Sequence, residues 1–459
     1  MENALSKVTF TAIGGGAEIG ANSYLITAED HDVLLDCGIH PKKEGVEALP
    51  QLGLLKRSPE AVIVSHAHID HCGAVPYLMR DHRTTECYAT QPTVRIMDRM
   101  LHNSVSVMGT LAVERGIREY PLYSHSDVEY VIRRSYGLAF EQEFALTWDS
   151  PFRASFHPSG HVLGSASVLL RAPGHTIFYS GDVCLTHQEL MAGLRLIDPS
   201  EDVTTLIIES TRGTHEEGHA ITFEGETERF AQEVSKVLER GGVVLVPSFA
   251  LGRTQELLNV IARLQESGYI PSVPVYASGL GRAVYEIYDK YADYLRPDST
   301  LRPLFEFNRI GDVWDPEVRH DLLKKPGVIV ATSGMMVENT PSSMIASELV
   351  KYKKHGIFFV GYLDPDTLGY KLLHAKTGDQ MPFELNGAPV TIKLENRQSF
   401  NFSAHAPRED LCKLIDHIAP KNVVFVHGDP EATAWMAENT NARYRKFIPS
   451  TGDPIDLEP

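Results

Sequence analysis

The chain has 459 residues, 43% of them hydrophobic, with 60 acidic against 43 basic side chains and a formal net charge of −17. A chain of this length can bury two or three domain cores. The acidic balance excludes a broad basic face for non-specific nucleic-acid binding, although a groove lined by metal ions and a few arginines can still hold a phosphodiester. The five cysteines, Cys37, Cys72, Cys87, Cys184 and Cys412, form an odd count without a CxxC pair. They are expected to be packing residues of a reducing compartment rather than a disulfide framework. No apolar run approaches the roughly 18 residues that span a bilayer, and the opening residues lack the pattern of a secretion signal. A cytoplasmic protein with no membrane partner is expected.

In chain order, Val8–Ile13, Ser23–Thr27 and Val33–Asp36 predict short strands separated by Gly14-Gly15-Gly16 and Glu29-Asp30-His31, a hairpin-rich antiparallel opening. No Gly-Lys-Ser/Thr follows the glycines and strands flank them, so they are assigned to a turn and not to a phosphate loop. Asp36 closes the third strand, where its carboxylate can reach the sheet edge. Ala61–Val64 predicts a buried strand, and Gly73–Met79 the first turns of a helix. Between them, Ser65-His66-Ala67-His68-Ile69-Asp70-His71 sets three imidazoles and a carboxylate within six positions. A helix would fan these side chains around its circumference and a strand would divide them between faces, so a loop is expected to converge all four.

Residues 92–137 carry helical periodicity, and strand signals resume at Phe152–His157, Ser167–Arg171, Thr176–Ser180 and Thr204–Ile208. His161 falls in a Gly-rich turn, while Asp182 and Glu209 follow strand ends. Beyond Glu209 the texture changes. Helices at Glu224–Arg240, Thr254–Ser267, Arg282–Leu295 and Ser342–Lys353 alternate with strands at Val243–Val246, Val273–Tyr276, Val328–Ala331 and Ile357–Val360, which predicts a parallel, helix-covered sheet. Residues 296–326 give no assignment. Near the end come His405, a helix at Arg408–Ile418, and a buried strand Val423–Val426 that ends in His427-Gly428-Asp429.

Zinc accepts neutral imidazole and carboxylate ligands, and a hydrolytic site leaves one position for water. His66, His68 and His161 can hold one ion; Asp70, His71 and His427 can hold a second, with Asp182 bridging both. Two ions about 3.5–4 Å apart can share a hydroxide, generate a nucleophile near neutral pH and clamp a phosphoryl oxygen.

The run His66-Ala67-His68-Ile69-Asp70-His71 resembles the His-x-His-x-Asp-His signature of the metallo-β-lactamase superfamily, and Asp36, His161 and Asp182 fall on its other motifs. The middle and end resemble the β-CASP branch, which comprises nucleic-acid-processing enzymes such as ribonuclease J and the pre-mRNA 3′-end-processing endonuclease. Glu209 in Ile208-Glu209-Ser210-Thr211 matches motif A, His405 in Ser403-Ala404-His405 motif B, and His427 in Val426-His427-Gly428 motif C. Pro247–Arg253 and Ser333-Gly334-Met335-Met336 are similar to further family segments.

The resemblance implies an α/β protein: an αββα metallo-β-lactamase sandwich interrupted by an inserted α/β β-CASP domain of mostly parallel sheet. The expected domains are 1–212 and 394–459 for the sandwich and 213–393 for the insertion. It implies a two-zinc phosphodiesterase cleaving single-stranded RNA, bound in the cleft between the domains; a homodimer is allowed. A His at motif C accompanies RNA substrates, whereas DNA-repair members tend to carry Val. The expected catalytic set is Asp36, Asp70, Glu209 and His405, with His405 as general acid held by Glu209. Arg253, Ser333, Gly334 and Ser403 are expected to meet substrate. Another hydrolase of the same superfamily, opening a thioester or lactone, and a non-catalytic RNA-processing subunit are the competing readings. The chain departs from the family at Glu338-Asn339, where Gly-Gly is common, at Tyr370, where Arg is common, and at Arg212, where Tyr is usual.

Overall fold

The computed structural model describes residues 7–215, 222–383 and 387–458. The chain forms two compact units, one of Met1–Thr186, Gly193–Glu216 and Ala404–Pro459, the other of His187–Ala192 and Glu217–Ser403.

The first unit is built on two seven-stranded sheets. One runs Pro454–Leu457, Val8–Gly14, Ser23–Ala28, His31–Leu35, Ala61–Ile63, Glu86–Thr90, Ser135–Leu138; the other runs Arg445–Phe447, Asn422–Val426, Thr205–Glu209, His175–Tyr179, Ala166–Ala172, Arg153–Pro158, Phe144–Ala145. Both are antiparallel on one side and parallel on the other. The strand Thr205–Glu209 shows how sequence sets the layers. Its side chains alternate, so Ile207 enters a core shared by both sheets with Phe10, Tyr24, Leu35, Ile63 and Phe156. Leu206 and Ile208 point the other way, onto Leu411, Leu414 and Ile415 of helix Arg408–Ile418. Helices Gln91–Arg115 and Val75–Asp81 with His125–Arg133 accompany the first sheet, completing an αββα sandwich.

The helical periodicity over 92–137 resolves into two helices and a strand. Gly116, at φ 70°, ends the first helix in the left-handed conformation that glycine adopts without strain. Ser124 and Asp127 form a reciprocal capping box that starts the second. Ser135–Leu138 then pairs with Glu86–Thr90 as an edge strand.

In the second unit a six-stranded sheet, parallel throughout, runs Asn308–Arg309, Val275–Ala277, Gly327–Ala331, Val243–Pro247, Gly356–Phe359, Asn396–Ser399. Parallel strands covered on both faces read as continuous apolar runs. Accordingly Val244, Val246, Val328 and Val330 pack with Phe230, Leu257 and Ile261, while Val243, Leu245, Ile329 and Ala331 pack with Met344, Ile345 and Leu349. Asn396–Ser399 is the short strand expected before Phe402, whereas the edge strand Asn308–Arg309 and the helices Pro316–Leu322 and Leu368–His374 were not expected from sequence. Each is at most seven residues long, too short for an apolar period to stand out.

The short segment His187–Ala192 joins the second unit through charge. Glu256 accepts hydrogen bonds from the backbone N–H groups of Leu190 (2.9 Å) and Met191 (3.1 Å), and Arg263 holds Glu189 through two nitrogens at 2.8 Å. Glu256 is 1% exposed. Burial pushes its carboxyl up to about 7, against the pull of Arg253 and the two N–H groups. Its folded pKa thus lies above the unfolded one, so the fold holds this proton more tightly than the unfolded chain does. The resulting stability is fully present below about pH 4.5 and is lost as pH rises through about 7. Between pH 5 and 8 the wild-type protein should lose up to about 3 kcal/mol of stability relative to Glu256→Gln. Chemical denaturation of both proteins across that range checks this; parallel pH profiles would contradict it.

Candidate metal centre

The strand Ala61–Ile63 delivers the chain to Ser65 and His66, and His68 is the N-cap of a single helical turn, Ile69–Cys72. The cluster is therefore only partly a loop: His66 and His68 precede the helix, while Asp70 and His71 lie within its first turn. The back of this segment is fixed by backbone hydrogen bonds. Asn22 N donates to Asp70 O (3.0 Å), Cys37 N to His71 O (2.8 Å) and Ile39 N to Ile69 O (2.9 Å). At Gly38 the approach is so close that a Cβ would lie 1.7 Å from Asp70 O, which only glycine permits.

Donor atoms converge in front of this ladder. His66 Nε2 and His161 Nε2 lie 2.9 and 3.2 Å from His68 Nδ1, and 3.6 and 3.7 Å from Asp182 Oδ2. An ion bonded at about 2.0–2.1 Å to four tetrahedral donors would set them roughly 3.3–3.4 Å apart, so these four fit one zinc-sized ion. A second group forms beside it. Asp70 Oδ2 is 3.8 Å from His71 Nε2 and 3.4 Å from His427 Nε2, and Asp182 Oδ2 is 3.4 Å from His71 Nε2. Asp182 thus reaches both groups, and its Oδ1 lies 3.0 Å from His427 Nδ1. His427 Nε2 is buried without a hydrogen bond, as expected of a ligand atom. Asn22 Nδ2 lies 3.0 Å from His71 Nε2, a contact that an ion would replace.

The far ring nitrogens fix the orientation of each imidazole. His161 Nδ1 donates to Ala404 O (2.9 Å), His427 Nδ1 lies 3.2 Å from Thr211 Oγ1, and His71 Nδ1 lies 2.7 Å from Asp36 Oδ2. Asp36 is fully buried and also accepts from Ser65 N, Ser65 Oγ and Tyr179 OH, at 2.7, 2.7 and 2.6 Å. It stands behind His71, and so acts through that ring.

Electrostatics divide the histidines. Burial holds His66 and His161 well below the usual imidazole range, in the neutral form that metals bind. For His71 and His427, burial opposes charge but the surrounding carboxylates together outweigh it, Asp182 foremost with Asp70, and Asp36 also for His71, raising both, His427 to about 10. Asp70 and Asp182 are lowered despite their burial, chiefly by the nearby histidines.

His405 adjoins the first group, its ring 4.6 Å from that of His161. Its Nδ1 lies 3.0 Å from Glu209 Oε2, and Glu209 Oε1 accepts Val183 N at 2.7 Å. Against burial, Glu209 and then Asp182 raise the imidazole pKa. The Glu209 side chain is 1% exposed and that of His405 23%, so the pair has a buried anchor and an accessible acid. Arg212 donates to His405 O at 3.0 Å and is itself buried.

Four expected substrate contacts, Arg253, Ser333, Gly334 and Ser403, lie in the second unit. Arg253 is 6% exposed, and its guanidinium donates to Phe402 O (2.6 Å) and to Gln188 Oε1. Ser333 Oγ accepts Val337 N at 2.9 Å, and Ser403 N donates to Asn401 Oδ1 at 3.4 Å. Gly334 packs on Phe249, whose backbone N would lie 2.9 Å from an added Cβ. Asn22, Ser65, Tyr179 and Thr211 were missed from sequence. Their only signal is position, each lying next to a glycine-rich turn, a ligand or a strand end.

Two outcomes follow from the geometry around His71. Removing its anchor in Asp36→Ala should weaken metal binding by about 10- to 100-fold, measured by competition with a chromogenic chelator; undiminished affinity would contradict the orienting role. Because His71 and His427 carry protons in the metal-free site and must shed them to ligate, affinity should rise with pH. Calorimetric titrations at pH 7 in two buffers of different ionisation enthalpy should show proton release.

Comparison with known proteins agrees with this architecture. Residues 17–220 match the metallo-beta-lactamase superfamily model, residues 254–372 the Beta-Casp domain, and residues 389–449 the Zn-dependent metallo-hydrolase RNA specificity domain. A Methanocaldococcus jannaschii protein named RNase J-like protein is 30% identical over 418 residues, 91% of each chain. RNase aCSPSF2 of Saccharolobus solfataricus is 30% identical over 97% of this chain and 84% of its own. Cleavage and polyadenylation specificity factor 73 of Drosophila melanogaster is 28% identical over 91% of this chain and 59% of its own. A crystal structure of a protein of unknown function from Enterococcus faecalis V583 shares the fold, with a TM-score of 0.58 at 17% identity over 98% of this chain and all of that one. The chain belongs to the β-CASP family of the metallo-β-lactamase superfamily.

Proposed function

We propose that the protein is a zinc-dependent ribonuclease that hydrolyses phosphodiester bonds of single-stranded RNA. The observation that carries this reading is the juxtaposition of a seven-residue ligand cluster with the His405–Glu209 pair, 4.0 Å from His405 Nδ1 to Asp182 Oδ2. The names of relatives as RNases and the RNA specificity model over residues 389–449, which contain both His405 and His427, support RNA as the substrate.

His66, His68, His161 and Asp182 would hold one zinc, and Asp70, His71, His427 and Asp182 the other. Such ions supply Lewis acidity towards a phosphoryl oxygen and acidify water for attack at neutral pH. The remaining work falls to the chain. Asp36 holds His71 in the tautomer that presents Nε2 to the cluster, and the Ala404 carbonyl does the same for His161. Glu209 holds a proton on His405 Nδ1 and favours the cationic ring, which then donates a proton to the leaving oxygen from Nε2. Arg212 keeps the His405 backbone in place.

The test is incubation of the zinc-loaded protein with 5′- and 3′-labelled single-stranded RNA and DNA, against an Asp70→Ala control, with product lengths read to separate internal cleavage from stepwise removal of ends. Cleavage of RNA in preference to DNA is expected. His405→Ala should retain its zinc and lose about 10²- to 10⁴-fold in turnover, the usual contribution of a general acid. Unchanged turnover in that variant would remove His405 from the reaction.

A further inference from the structure

Helix Leu368–His374 of the second unit begins at a Thr367 N-cap and carries Tyr370 and His374 four positions apart, hence on one face. Their ring centroids are 4.1 Å apart with planes tilted by 33°, and His374 Nδ1 donates to Tyr370 O at 2.8 Å. The two rings therefore stack against one another as a fixed aromatic pair. The helix is anchored in turn: Gly369 N donates to Met335 O at 3.1 Å, and a Cβ on Gly369 would come within 2.6 Å of that oxygen. Tyr370 and His374 line an open surface depression of about 580 Å³ together with Pro365, Lys371, Asp379 and Pro382.

The lining chemistry selects among ligands. Lys371 and Asp379 balance in charge, so the depression has no net cation excess for a polyphosphate. Lys371 Nζ is held at the Asp366 carbonyl, 2.7 Å away, which leaves one amine at the edge of an otherwise flat, aromatic and proline-rich surface. A planar aromatic heterocycle with a single attached phosphate matches this set: stacking on rings is indifferent to sequence, and one lysine suffices for one phosphate.

The geometry points to a nucleobase-stacking subsite on Tyr370 and His374, which takes one unpaired base of single-stranded RNA and its phosphate beside Lys371. This inference rests on the ribonuclease reading of the metal centre.

The experiment uses the full-length zinc-loaded protein and a pentaribonucleotide carrying 5-iodouridine, irradiated to cross-link the base to an adjoining aromatic side chain, with adducts mapped by mass spectrometry. Adducts on Tyr370 or His374 are expected in the wild type and on residue 370 or His374 in Tyr370→Phe. In Tyr370→Ala, RNA binding should weaken roughly 5- to 150-fold, the range for loss of one stacked base. That variant should still hydrolyse a small chromogenic phosphodiester at the wild-type rate, which shows that its metal centre is folded. Adducts confined to residues outside 365–382, or undiminished RNA binding by Tyr370→Ala, would overturn the subsite while leaving the ribonuclease reading intact, and would give the depression to a non-nucleotide ligand such as a peptide. A wild-type protein that hydrolyses the chromogenic diester but neither cleaves nor cross-links RNA would overturn the RNA reading and the subsite with it.

Discussion

The buried carboxylate of Asp36 is the constraint on which the metal centre depends. A fully buried carboxyl group is tolerated only when its polar atoms are satisfied, and Asp36 meets that demand with donors from three places. Its own position ends strand His31–Leu35 of one sheet, Tyr179 ends strand His175–Tyr179 of the other, and Ser65 and His71 belong to the segment between. A single side chain thus ties both sheets to the ligand-bearing turn. The requirement of the buried carboxyl group and the requirement for an oriented His71 are met by the same hydrogen bonds.

Backbone conformation supports this account. Asp36 (φ 60°) and His427 (φ 50°) both adopt the left-handed region, which non-glycine residues seldom occupy, and both lie just past strand ends. Ala21 (φ 50°) precedes Asn22, whose amide faces His71 and whose Oδ1 accepts from Tyr24 OH. Such strain persists where surrounding structure determines it, and here it re-aims side chains towards the cluster. The glycines at 14–16 have a related use. Gly15 (φ 67°) accepts both Tyr24 OH and His427 N on its carbonyl, and a Cβ there would come within 2.4 Å of Asn22 Oδ1. The turn expected from sequence is thus a wall of the site.

How much was legible in the sequence follows from the same physics. Histidines and aspartates at strand ends announce themselves, because few other arrangements use them at that density, and the structure brings His66, His68, Asp70, His71, His161, Asp182 and His427 together. The change of texture after Glu209 was legible because buried parallel strands must be apolar on both faces. The orienting residues were not legible, since Tyr179 sits in an apolar strand and Asn22 after a glycine, and neither type is unusual there. Arg253 illustrates a different limit: sequence reveals a cation but not which of its donors are engaged within the fold, and here Phe402 and Gln188 take one each. The two-residue edge strand Asn308–Arg309 escaped notice because an edge need bury only part of itself.

Asp182 is the residue by which the two ligand groups become one centre, since its Oδ2 lies within 3.4–3.7 Å of histidines from both. The most direct test is the zinc content of the purified protein and of Asp182→Ala, measured by atomic emission after dialysis against a metal-buffered solution. Two zinc ions per wild-type chain and a loss of zinc from the variant are predicted. One ion per chain, or full retention of two in Asp182→Ala, would contradict a shared centre.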